Sequence, residues 1–85
     1  MFIVNRNGCQ AINFDDIERI WVEGSGVYGL TRTEILSAAY SGESATEMLI
    51  TKMRTQEEAE IVFERIMQTY SEGELICYVG GEFYV

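Results

Sequence analysis

The stretch TQEEAEIVFERIMQTY, residues 55–70, decides how this chain is read. Ala59, Val62, Phe63, Ile66, Met67 and Tyr70 recur at i, i+3, i+4 and i+7 spacing, which lines them along one stripe of an α-helix. Thr55 and Glu58 match a capping box, in which the Thr hydroxyl accepts from the Glu amide and the Glu carboxylate reaches back. Gly73 suits the C-terminal turn. The spacing predicts one amphipathic helix over about residues 55–71, whose stripe needs a sheet to cover it.

Outward from that helix, the chain reads as short strands. Phe2-Ile3-Val4 and Cys9 to Phe14 flank Asn7-Gly8, a good hairpin turn. Asp15-Asp16 interrupt the pattern. Ile17 to Glu23 resumes it, with Ile20 and Val22 on one face and Arg19, Trp21 and Glu23 on the other. Gly24-Ser25-Gly26 is a turn, and Val27 to Arg32 is extended. Glu34 to Tyr40 has two readings. As a helix, it lines up Ile35, Leu36, Ala39 and Tyr40 and stops at Gly42. As a strand, it turns through Ser41-Gly42-Glu43-Ser44 into Thr46 to Met53. The hairpin is favoured, because the second run is strand-like and needs a neighbour. Leu75 to Val79 is another strand, and Gly80-Gly81 permits a turn into a last strand or tail, Glu82 to Val85. The expected fold is α+β: a mostly antiparallel sheet of about five to seven short strands, with the helix packed on one face.

Length and composition bound the function. At 85 residues and 9.7 kDa, the chain makes a single domain, residues 1–85, with one modest core. Fourteen acids against six bases give a net charge of −8. That argues against direct binding to nucleic acid or an anionic membrane. There is no histidine, which excludes imidazole bases, Ser-His triads and histidine metal ligands. No run is apolar enough to span a bilayer, and Met1 to Arg6 is too short for a signal peptide, so the expected location is cytoplasmic. Cys9 and Cys77 form no metal-type pair. They read as reduced, partly buried thiols. A disulfide between the N- and C-terminal strands and an intermolecular bridge are the other readings. No metal or cofactor is expected.

Three motifs invite chemistry. Gly24-Ser25-Gly26-Val27-Tyr28-Gly29 spells G-x-G-x-x-G, but a dinucleotide site needs a helix there and the following residues are β-formers, so a hairpin turn is expected. Asp15-Asp16 and Glu57-Glu58 are paired carboxylates, placed at a turn and in a first helical turn, where the helix dipole accounts for them. The expectation is that the chain is not an enzyme.

The helix's polar face is more telling. Glu57, Glu60 and Glu64 fall within a narrow stripe, about 4.5 and 6 Å apart along the axis. Such a row can imitate a phosphate strand or meet a basic groove; it also fits an ordinary solvated helix face. Ile61 projects from the middle of it, as an interface anchor inside a polar rim would. Among the aromatics, Phe2, Phe14, Phe63 and Tyr70 are assigned to the core. Tyr28, Tyr40, Tyr78 and Tyr84 are assigned to strands. Trp21, beside Arg19 and Glu23, is assigned to an edge or surface.

The order of features resembles a group of small proteins from phages and mobile elements of Gram-positive bacteria. The resemblance rests on the opening Met1-Phe2-Ile3-Val4-Asn5 and the segment Ile12-Asn13-Phe14-Asp15-Asp16-Ile17. It rests also on the helix entry Thr55-Gln56-Glu57-Glu58-Ala59 and on Val62-Phe63-Glu64-Arg65-Ile66. It implies a setting, the cytoplasm of a bacterial host, and no catalytic residue. The expected function is therefore a non-enzymatic interaction protein that inhibits or modulates a host protein with a basic surface. Glu57, Glu60, Ile61, Glu64 and Trp21 would form the contact, with Glu72 and Glu74 at its margin. A second expectation is an oligomer that sequesters a nucleotide-like ligand, held by Arg19, Arg32 and Tyr28. A third is a structural assembly part, such as a homodimer.

Overall fold

The computed structural model describes residues 1–80. The fold is α+β, with six strands and two helices among these residues. The strands are β1 (Phe2–Asn5), β2 (Gln10–Asn13), β3 (Ile17–Glu23), β4 (Gly26–Thr31), β5 (Met48–Lys52) and β6 (Ile76–Val79). The helices are α1 (Arg32–Ser41) and α2 (Gln56–Ser71), and a short 3-10 turn spans Phe14–Asp16. The expected single sheet is instead two three-stranded sheets, in the orders β2-β1-β6 and β3-β4-β5. All pairings are antiparallel except β1 with β6, which is parallel. The proposed strand at 82–85, with Tyr84, lies outside the described residues.

Each hairpin follows from its turn. Asn5 faces Gln10 across the β1–β2 turn, where the Asn5 Oδ1 accepts from the amides of Asn7 at 2.9 Å and Gly8 at 3.0 Å. An Asn side chain that folds back on its own turn replaces the missing ladder bonds. The glycine-rich motif is a hairpin between β3 and β4, as expected. Gly24 sits at φ 58, and a side chain on Gly26 would meet the Tyr28 ring at 2.8 Å.

The favoured hairpin at 34–53 is overturned: residues 32–41 form α1. Two local signals outweigh the demand for a strand neighbour. Thr31 caps the helix, its Oγ1 accepting from the Glu34 amide at 3.1 Å, and Gly42 closes it at φ 76. The β5 strand finds its neighbour in β4 instead. Tyr40 is therefore helical rather than in a strand, and it is 97% exposed.

Both sheets turn their apolar sides toward α2. Ile3, Ile12, Cys77 and Val79 from the first sheet, and Val27 and Ile50 from the second, enclose Ala59, Val62 and Ile66 of the helix. Phe14 and Phe63 pack against this cluster, as expected. Phe2 and Tyr70 depart from their core assignment and are half-exposed; Tyr70 leans on Phe14 with ring centroids 4.7 Å apart. Phe2 alternates outward from Ile3, on the side of β1 away from the helix. No disulfide joins the cysteines. Cys9 is exposed in the β1–β2 turn, not partly buried as expected, whereas Cys77 lies inside.

One polar residue joins the sheets. The ladder between β4 and β5 pairs Val27 with Thr51 and Tyr28 with Leu49, so Ile50 is left over in a bulge. Its carbonyl accepts from the buried Nδ2 of Asn5 at 2.6 Å. Asn5→Ala removes this donor and the turn's acceptor together, and strands a buried carbonyl. The expected loss is about 2–3 kcal/mol, read as a lower urea midpoint with unchanged slope. A loss under about 0.5 kcal/mol would show that Asn5 does not hold the sheets.

Candidate functional site

The geometry of α2 sets what its outer face can do. Thr55 takes the cap position, its Oγ1 accepting from the Glu58 amide at 3.2 Å, as the capping box requires. The Glu58 carboxylate also accepts from the Thr55 hydroxyl at 3.4 Å and from Arg54 at 3.1 Å. At the far end, Glu74 donates its amide to the Thr69 carbonyl and Gly73 to that of Tyr70, a Schellman closure. Both ends are thus fixed, and the rotation of the helix is fixed by Ala59, Val62 and Ile66 in the core.

That rotation leaves Glu57, Glu60 and Glu64 exposed along one line. Gln56 donates to the Glu60 carboxylate at 3.2 Å, which fixes one member of the row. Glu60 and Glu64 are one turn apart, a like-charge pair that costs roughly 0.2–0.5 kcal/mol. Ile61 stands among them, 50% exposed. The structure therefore brings together Glu57, Glu60, Ile61 and Glu64.

Trp21 does not join them. The residues of β3 that face the core are Ile20 and Val22, on the side where α2 packs. Trp21 alternates to the other side of the sheet. There it stacks with Tyr28, centroids 6.1 Å apart and planes 20° apart, with the Arg19 guanidinium 5.1 Å from the Trp21 ring. Two of the three residues of the ligand reading, Arg19 and Tyr28, thus meet around Trp21. The third, Arg32, is held by Glu18 at 2.7 Å, and this contact raises the arginine above its ordinary pKa.

The paired carboxylates at 15–16 have structural work. Asp15 lies 3.6 Å from the N-terminal ammonium, and Asp16 accepts from the amide and the hydroxyl of Thr33 in the first turn of α1. Among the described residues there is no pocket, and no group of three or more His, Cys, Asp or Glu suited to a metal ion. No helix of the described residues is long and apolar enough to cross a membrane.

Sequence reasoning missed an apolar surface on β1 and β6. Phe2, Ile76 and Tyr78 face away from the core, each about half-exposed, and Arg6 lies 4.5 Å over the Tyr78 ring. The signal was present: Phe2-Ile3-Val4 and Leu75 to Val79 are unbroken apolar runs, so each strand is apolar on both faces.

Because the acidic row depends on the helix starting at Gln56, Thr55→Ala should destabilise the protein by about 1 kcal/mol, measured by urea unfolding. A neutral result would place the helix's anchoring elsewhere.

Searches against family models, curated proteins and solved structures find no match to this chain.

Proposed function

We propose that this chain is a small, non-enzymatic interaction protein, encoded by a phage or mobile element, that acts in the cytoplasm of a bacterial host. It inhibits or modulates a host protein, such as a defence or nucleic-acid-handling machine, by covering a basic surface with the outer face of α2. One observation carries this reading: an apolar side chain, Ile61, stands half-exposed inside a row of exposed carboxylates on a helix capped at both ends. Burial of Ile61 would slow release, while the carboxylates steer the encounter. The net charge of −8 points to a basic partner rather than to nucleic acid itself.

Capture from a host-like lysate, at low and at high salt, nominates the partner. The expected catch is a nucleic-acid-handling protein retained at low salt and lost at high salt. Glu60→Lys with Glu64→Lys should abolish the binding while circular dichroism and thermal stability persist. Unchanged affinity in that double variant would sink the reading.

A second reading, an oligomer that sequesters a nucleotide-like ligand, has an observation of its own. The stacked Trp21 and Tyr28 with Arg19 beside them offer a flat aromatic surface and a cation for a phosphate. A ligand at 100 times its Kd should add about 2.7 kcal/mol to stability. No thermal shift with any member of a nucleotide panel would remove this reading.

A further inference from the structure

We infer that the outer face of the β2-β1-β6 sheet is a self-association surface, on which a second copy of this chain packs. The three strands hold none of the chain's 14 acids and six bases. Inward, Ile3, Asn5, Ile12, Cys77 and Val79 are buried. Outward, the register places Phe2 beside Ile76 and Val4 between Ala11 and Tyr78. Phe2 is 51% exposed, Ile76 and Tyr78 are each 47% exposed, and Leu75, just ahead of β6, is 79% exposed. Phe2, Ile76 and Tyr78 together leave roughly 300 Å² of this face in water, within the range that marks interaction sites on small proteins. With Val4, Ala11 and Asn13 the face suits a small, reversible contact, below the ~800 Å² per partner of a standard interface.

Charge names the occupant. Two copies at −8 repel each other over most of their surface, and least where the surface is neutral. A strongly basic or acidic partner would find nothing here to pair with along the strands. The ends of the face are complementary to each other. Arg6 follows β1 at one end, its guanidinium over Tyr78, and Glu74 precedes β6 at the other, where the Phe2 amide donates to the Leu75 carbonyl. A two-fold packing of the two sheets, with their β1 strands running in opposite senses, sets Arg6 of each copy toward the Glu74 end of the other. It makes two ion pairs from one self-complementary patch. The acidic face of α2 points away from this contact, so the two surfaces are independent.

Sedimentation equilibrium of the full chain across a concentration series tests the inference. The expected species is a reversible dimer of twice 9.7 kDa. Ile76→Lys with Tyr78→Lys should raise its Kd by more than about 100-fold, with the monomer's circular dichroism retained. If that pair fails to fold, charge exchange decides: Arg6→Glu should weaken the dimer about tenfold, and adding Glu74→Arg should restore it. A chain that stays monomeric throughout overturns the inference, whether the face then lies open or is covered by residues 81–85 of the same chain. A dimer indifferent to the folded variants overturns it too, and assigns the contact to an edge strand or another face.

Discussion

The fold depends on how one buried amide is satisfied. Asn5 is 8% exposed, and each buried amide group of an Asn left without a partner would cost about 1–3 kcal/mol. Its oxygen closes the β1–β2 turn, and its nitrogen donates to the Ile50 carbonyl of the other sheet. The bulge in β5 is the counterpart of this contact. By skipping one residue in the β4–β5 ladder, it leaves the Ile50 carbonyl in need of a donor where Asn5 supplies one. Turn, bulge and sheet junction are therefore a single device. Without it, the two small sheets would be joined by apolar contact and the exposed Gln10 Nε2 donation to the Met48 sulfur at 3.9 Å, which fix distance better than register.

With the junction fixed, α2 can lie on both sheets at once, against β3 and β4 of one and β6 of the other. That placement gives the molecule two unlike sides. One carries the helix, with Glu57, Glu60 and Glu64 facing water. The other is the outer face of the β2-β1-β6 sheet, whose strands carry no charged residue. Six of the chain's 14 acids lie in α2 or just after it, at 57, 58, 60, 64, 72 and 74, and Arg54 pairs with Glu58. The carboxylates of the α2 face, with Ile61 among them, and the apolar side chains Phe2, Ile76 and Tyr78 therefore lie on different sides of the molecule.

What was legible in the sequence was whatever is decided locally. The α2 helix shows through its cap at Thr55 and its apolar period, and the β1–β2 and β3–β4 hairpins through Asn7-Gly8 and Gly24-Ser25. The α1 helix carries a local signal that the reading of residues 34–40 did not use, Thr31-Arg32-Thr33-Glu34, a second capping-box pattern. Its ambiguity is physical, since α1 buries only Ala38 and has little amphipathic pattern to read. The division into two sheets was not legible, because it hangs on the contact between Asn5 and Ile50, 45 residues apart. The exposure of Phe2 was not legible either, as an unbroken apolar run does not say which of its faces is covered. At the candidate site, the periodicity of α2 foretold the clustering of its glutamates around Ile61. The separation of Trp21 from them required knowing on which side of β3 the helix packs.

The most direct test of this account is hydrogen exchange at the Asn5 side-chain amide, followed by NMR. If Asn5 clasps the two sheets, its Nδ2 protons exchange as slowly as the core amides of β1 and share their dependence on global unfolding. Exchange as fast as that of the exposed Asn7 and Asn13 side chains would contradict the account.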